Sequence, residues 1–140
     1  MTLTVNGTVI ARSGGVGLED NASEATINGN GTIYLRGKGQ LFRVEGHRNA
    51  ANPKLILDGV TLVGVDDNDA LLVQAGNGGE LVLKSGAITD NSVSGWEWGG
   101  GGVAVGAGAV FTMTDGGNAT KRGNACQVTI SSRYSILYAV

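Results

Sequence analysis

The chain has 140 residues and a formal net charge of −2, which fits a single domain and gives no overall electrostatic attraction for nucleic acid or an anionic membrane surface. Its 41% hydrophobic content argues against disorder, and no apolar run approaches the roughly 18 residues that a membrane-spanning helix needs. Glycine contributes 25 residues without an every-third-residue period, and proline contributes one, which excludes collagen and leaves a turn-rich β protein.

The start of the chain lacks the features of a signal peptide. Residues 1–5 contain neither a basic n-region nor an apolar h-region. Either the chain stays in the cytoplasm or it is a mature or excised piece of a longer protein, and we favour the second because of the repeat described next. Cys126 is the only cysteine, so no intramolecular disulfide can form, and the distant His47 does not predict a catalytic Cys–His pair.

A short phrase recurs along the chain, in which two apolar residues flank a variable one and a turn ending in glycine follows. It occurs at residues 33–37, 55–59, 81–86 and 111–116. A second phrase of the same kind interleaves with it, at residues 41–46, 71–76 and 103–108. A shorter apolar pair lies between the two phrases, as Val60/Leu62 in one unit and Ala87/Ile88 in the next. The chain therefore contains three short strand-like segments per repeat.

This spacing is typical of one coil of a β-solenoid. Alternation such as Leu81/Leu83 sends one set of side chains inward and the other outward. A single coil cannot bury its apolar face, so stacked coils share one core. We predict an all-β solenoid of about four or five coils over residues 1–120. An antiparallel sandwich is the alternative fold, since it also gives regular short strands. Sandwiches, however, do not usually repeat the same phrase at a fixed interval.

The glycines that end each phrase are expected to mark the corners of successive coils, because glycine tolerates the positive φ of sharp turns. They are Gly37, Gly59, Gly86 and Gly116 in the first phrase and Gly46, Gly76 and Gly108 in the second.

A resemblance to a known family rests on three stretches of sequence. They are LVLKSGAITDN at 81–91, GGGGVAV at 99–105 and VFTMTDG at 110–116. These stretches resemble the glycine/asparagine-rich repeat of bacterial and archaeal adhesin-like surface proteins, which are related to autotransporter passenger domains. The resemblance implies a right-handed parallel β-helix of the pectin-lyase-like class and a secreted or cell-surface location. It also implies that Ile88 lies in the core and Asn91 at a corner.

The C-terminal segment has a different character. The repeated phrase disappears after Lys121, and residues 121–140 carry alternating apolar residues instead. Terminal units of solenoids are atypical because they cover the open core, so we interpret 121–140 as a capping or terminal strand segment of the same domain. An artificial truncation of a longer β-helix is the competing interpretation.

The segment SGWEWGGGG at 94–102 is the most distinctive loop, because it holds both tryptophans. Trp96 and Trp98 would face the same way in extended backbone, and their rings could stack on sugar faces while Glu97 accepts hydrogen bonds from hydroxyls. We therefore list these three residues as candidate ligand-binding residues. The alternative interpretation is that the tryptophans fold back over exposed core.

Two further clusters carry charge. Asp66, Asp67 and Asp69 form an acidic run with Asn68 and could supply oxygen ligands to calcium, although the EF-hand spacing is absent and a solvated turn is the alternative. Arg43, Glu45, His47 and Arg48 lie close in sequence. The polysaccharide lyases that share this architecture use a basic residue with calcium, so Arg43 or Arg48 could be imagined in that role. We interpret this cluster as surface charge.

We therefore expect no catalytic residues and no enzyme activity, but a structural or adhesive segment of a secreted or cell-surface protein. Possible partners are glycans or cell-surface molecules, with no nucleic acid and no membrane insertion. End-to-end self-association is possible, because the strand edges at solenoid ends invite pairing. The alternative function is a carbohydrate-binding or carbohydrate-active β-helix, resembling a polysaccharide lyase.

Overall fold

Thirteen β-strands form the computed structural model, which describes residues 1–14, 16–19, 24–46, 52–93, 102–106, 108–114, 118–121 and 124–126. These segments contain no helix, and hence no apolar helix long enough to cross a membrane. The strands are β1 (Thr2–Thr4), β2 (Thr8–Arg12), β3 (Val16–Glu19), β4 (Glu24–Asn28), β5 (Thr32–Arg36), β6 (Phe42–Glu45), β7 (Lys54–Val63), β8 (Val73–Gly76), β9 (Glu80–Thr89), β10 (Val103–Val105), β11 (Val110–Met113), β12 (Asn118–Lys121) and β13 (Asn124–Cys126).

Apolar and polar residues alternate along the strands, and burial follows that alternation. In β5, Ile33 and Leu35 are buried while Tyr34 and Arg36 are exposed. Successive side chains of a strand point to opposite faces of its sheet. One face of each strand therefore joins the core while the other meets solvent.

Apart from β13, the strands pair in parallel, each with the corresponding strand of the next repeat. In the first row, the residues Thr2, Thr26, Ile56, Val82 and Thr112 are aligned across β1, β4, β7, β9 and β11. A second row of strands consists of β2, β5, the distal halves of β7 and β9, and β12. A third row, β3, β6, β8 and β10, forms the smaller sheet. The predicted all-β class with parallel strands is confirmed.

The long strands β7 and β9 bend where glycine interrupts them. Gly59 and Gly86 have φ of 90° and 99°, a region that residues with a side chain rarely adopt. A Cβ atom on Gly86 would overlap the carbonyl of Val60 in the preceding repeat. These glycines are therefore required for both the bend and the close stacking of neighbouring bends, as the repeated phrase predicts.

The other predicted corner glycines behave differently from one another. Gly37 and Gly108 also have positive φ, whereas Gly46 and Gly76 do not. Gly116 lies outside the described residues. Four of the six described glycines thus adopt the left-handed conformation expected at a corner, whereas Gly46 directly follows β6 and Gly76 ends β8 without it.

A single buried core draws on all three rows of strands. It includes Leu57 and Leu83 from the first row, Ile88 from the second, and Val73 and Val103 from the third. Each of these residues is fully buried. The expected inward position of Ile88 is confirmed.

The two ends of the core differ in exposure. At the N-terminal end, Leu3 and Val9 are about half exposed although they align with the buried residues Ile27 and Ile33. At the other end, Phe111 of β11 is fully buried. The first repeat thus leaves part of its apolar face uncovered in the described structure.

The C-terminal segment changes the pairing pattern. β13 pairs antiparallel with β12, whereas all other strand pairs in the described segments are parallel. Residues 127–140 lie outside the described part of the chain, so the boundary at 120/121 and the capping role stay predictions.

Candidate functional site

One corner of the fold brings together the segments that connect the second row of strands to the third. The connection from β7 to β8, residues 64–72, contains the acidic run, and the connection from β9 to β10 begins with residues 90–93. Asn68 and Val93 form an isolated parallel bridge between them. The backbone N–H of Asn68 donates to the carbonyl of Ser92 at 2.6 Å. The acidic run therefore lies beside the segment that leads into residues 94–101.

Two buried asparagines hold this corner together. Asn68 and Asn91 are each 1% exposed. The Asn68 Nδ2 donates to Asn91 Oδ1 at 2.7 Å and to the carbonyl of Gly39 at 2.8 Å, and the N–H of Gly39 donates to Asn68 Oδ1 at 2.6 Å. Asn91 Nδ2 donates to the carbonyl of Ala70 at 3.1 Å. Side-chain amides thus link three successive repeats, and the expected corner position of Asn91 is confirmed.

The acidic run suggests Asn68 as a possible calcium ligand, and the structure gives this residue a different role. Its Oδ1 accepts hydrogen bonds from the backbone N–H groups of Gly39 and Asp69, and its amide nitrogen is engaged as described above. A buried side chain whose donors and acceptor are all used in this way is a structural element of the turn. The sequence signal for this structural role is an asparagine between aspartates at a corner. That signal does not identify the partner, Asn91, because it belongs to the next repeat.

The carboxylates of the acidic run are exposed to solvent. Asp66, Asp67 and Asp69 all lie on the surface, and Asp67, with φ of 56°, pairs through Oδ2 with Lys38 Nζ at 3.0 Å. In the described segments no three or more His, Cys, Asp or Glu side chains converge to form a metal site. The structure therefore does not bring these three carboxylates together, and calcium binding here stays a prediction without geometric support.

The remaining predicted residues divide between described and undescribed segments. Arg43 and Glu45, two residues apart on β6, form an ion pair with each other, which is consistent with surface charge. His47 and Arg48 lie outside the described residues. So do Trp96, Glu97 and Trp98, and their proposed binding role stays a prediction.

A further pattern escaped the sequence analysis. The strand sequence TVIAR of β2 is repeated as TIYLR in β5, and the two strands pair residue for residue. On the outward face, the threonine, the large apolar residue and the arginine of β2 thus each lie beside the corresponding residue of β5. The signal is the pattern Thr-x-apolar-x-Arg, which was missed because β2 precedes the region where the glycine-ended phrase is clear.

Comparison with known proteins identifies no relative. No protein-family model matches the chain, and no curated protein or solved structure matches it significantly.

Proposed function

We propose that the chain is a right-handed parallel β-helix that serves as a non-catalytic structural or adhesive segment of a secreted or cell-surface protein. The observation that carries this proposal is the register of the strands. A residue of one repeat aligns with its counterparts in the next repeats, as Thr26 does with Ile56 and Val82. Such stacking builds a rigid rod whose corners and outward faces are available for contact.

The order of the strands supports the helical path. Within each repeat the chain passes through the first, second and third rows and then returns to the first row. Both sheets contribute to the same core, as expected for a coil that closes around its own interior. Parallel strands joined by a crossover are almost always connected in the right-handed sense, which favours a right-handed coil.

The adhesive role and the surface location draw on the resemblance to adhesin-like repeat proteins. The corner formed by residues 64–72 and 90–93 supports this role, because it places the acidic run beside the start of the tryptophan segment. We propose that Trp96, Glu97 and Trp98, which follow residues 90–93 in sequence, form a glycan-recognition surface. A carbohydrate-active β-helix is the second candidate, supported by the same aromatic–carboxylate combination.

End-to-end self-association is part of the proposal. In the described segments β1, β2 and β3 each pair on one side only, so their outer edges form one end of the described stack of strands. Leu3 and Val9 add exposed apolar surface at that end. Unpaired edges beside apolar side chains favour pairing with another chain.

Binding to a panel of glycans tests the adhesive role. We expect the intact chain to bind at least one glycan, and we expect Trp96→Ala together with Trp98→Ala to abolish that binding. Val110→Ala, which truncates an exposed apolar side chain, is the control and should bind normally. Binding unchanged by the tryptophan substitutions would contradict the proposed surface.

Two further measurements separate the candidates. Release of sugar products from polysaccharides incubated with the protein and calcium would favour the carbohydrate-active alternative over the non-catalytic role. Antibody labelling of intact cells that produce the natural protein should succeed without lysis, whereas labelling only after lysis would contradict the surface location.

A further inference from the structure

The outward face of β2 and β5 carries an ordered array of side chains. Parallel pairing places residues of similar type beside each other in three rows of side chains, which run across the two strands: Thr8 with Thr32, Ile10 with Tyr34, and Arg12 with Arg36. Neighbouring strands lie about 4.8 Å apart, and successive rows are separated by two residues, or about 6.6 Å. The array is therefore a flat surface with a hydroxyl row, an apolar row and a cationic row.

The middle row is unusually exposed for apolar residues. Ile10 is 66% exposed and Tyr34 is 43% exposed, while the intervening residues Ile33 and Leu35 are buried in the core. The apolar row continues onto β7 as the half-buried Val63, which aligns with Tyr34. Both large side chains are thus held on a rigid strand pair with their surfaces available for contact.

The arginines of the cationic row differ from three other cations that the structure describes. Three other cations of the described segments are paired with carboxylates, namely Lys38 with Asp67, Arg43 with Glu45 and Lys54 with Glu80. None of the ion pairs between described side chains involves Arg12 or Arg36, and both arginines are exposed. Like charges directly opposite each other on neighbouring strands are destabilising, so this pair is best explained by an anionic partner.

We propose that this face binds a polysaccharide that carries carboxylate or sulfate groups. The two guanidinium groups would bind the anionic substituents through paired N–H donors. The ring of Tyr34 beside Ile10 offers an apolar platform for the C–H face of a sugar, and the threonine hydroxyls can exchange hydrogen bonds with sugar hydroxyls. This inference rests on the proposed adhesive role and names a ligand class for the outward face of β2 and β5.

The composition of the array favours an acidic sugar polymer over other polyanions. Nucleic-acid binding draws much of its affinity from many Lys and Arg contacts to phosphates, and the array presents two cations in a chain of net charge −2. Stable adsorption on an anionic membrane uses several basic residues and a broad apolar surface. Here the apolar row is narrow and is flanked by threonine hydroxyls, which suit a hydrated, hydroxyl-rich ligand.

Calorimetric titration with defined oligosaccharides tests the proposal on the intact chain. The probes are oligogalacturonate for carboxylate, heparin-derived oligosaccharides for sulfate, and a neutral cello-oligosaccharide. We expect binding to one or both anionic probes and none to the neutral one. Arg12→Gln and Arg36→Gln should each raise the Kd by about tenfold or more, as for loss of a charged hydrogen bond. Lys84→Gln removes another exposed cation, on β9, and should change the Kd by less than about twofold.

Several outcomes would overturn the inference. They are no binding to either anionic probe at about 1 mM, an equal loss of affinity in Lys84→Gln, and tighter binding to duplex DNA or to anionic phospholipid vesicles. Circular dichroism of each variant should match the parent chain, so that a change in affinity is not a change in fold. Glycan binding that is lost in Trp96→Ala but retained in both arginine variants would refute this site while leaving the proposed adhesive function intact.

Discussion

Truncation of one inward-facing leucine offers a sharp test of the stacked core, because the same row contains a matched control. Leu57 aligns with Leu83 on one side and with Ile27 on the other, and Leu3 occupies the first position of that row. Leu57 is fully buried, whereas Leu3 is 50% exposed. The two substitutions Leu57→Ala and Leu3→Ala therefore delete the same atoms from opposite environments.

The expected magnitudes follow from this difference in burial. Leu57→Ala loses the transfer free energy of the buried side chain and leaves a cavity between neighbouring repeats, a total of about 3–4 kcal/mol. Leu3→Ala loses only part of the transfer term and leaves no closed cavity, so its cost is about 1 kcal/mol. We therefore expect the central substitution to destabilise the chain about threefold more than the terminal one.

Urea unfolding followed by circular dichroism measures these costs. With a urea slope of about 1–3 kcal/mol per molar, Leu57→Ala should lower the unfolding midpoint by about 1–4 M and Leu3→Ala by well under half of that. Equal shifts for the two variants would refute the reasoning, because they would mean that the two positions are not buried to different extents in one stacked core.

The remaining predictions concern the bends, the corner and the surface. Gly86→Ala combines positive φ with overlap of the new Cβ atom onto the neighbouring backbone. Thermal denaturation should therefore show a much larger loss of stability than for Gly37→Ala, where φ is positive but a Cβ atom meets open space. Similar losses for the two variants would contradict the stacked bend. Asn91→Ala strands buried hydrogen-bonding groups and should cost about 2–4 kcal/mol in urea unfolding, and a cost below about 1 kcal/mol would refute the structural role of the amide pair. Lys54→Met breaks the partly exposed pair with Glu80 and should change stability by less than about 1 kcal/mol at any salt concentration; a larger, salt-sensitive loss would show that the pair is more important than its exposure implies.

The sequence predicts the parallel all-β class and much of the core because both depend on local repetition. The phrase around Leu81 and Leu83 identifies inward positions by alternation alone, and Ile88 follows from the same repeat. The first repeat is harder to recognise from sequence. In β5 the last residue, Arg36, is followed directly by glycine, whereas in β2 the last residue, Arg12, is followed by serine and then glycine. Its membership is clear only from strand pairing, which places Thr8 beside Thr32.

The site is less predictable than the fold, because its contacts join residues from different repeats. Asn68 resembles one more oxygen donor in an acidic run, and its buried role depends on Asn91, which lies 23 residues later. The arginine row likewise depends on the register that brings Arg12 beside Arg36. Repeat lengths vary along the chain, so neither pairing follows from a fixed spacing.

Disulfide mapping between aligned positions tests the central claim, that successive repeats stack as coils of a parallel β-helix. In a Cys126→Ser background, cysteine pairs would be introduced at one aligned position in each row of strands: Thr26 with Ile56, Thr32 with Thr61, and Arg43 with Gln74. A pair at Thr2 and Ile56, two repeats apart in the same row, is the control. Adjacent strands lie about 4.8 Å apart, within disulfide reach, whereas the control spans about twice that distance and is out of reach.

The account predicts an intramolecular disulfide in the monomer for all three aligned pairs under mild oxidation and none for the control. Failure of the aligned pairs to cross-link, or cross-linking of the control as readily as the aligned pairs, would contradict the stacked arrangement.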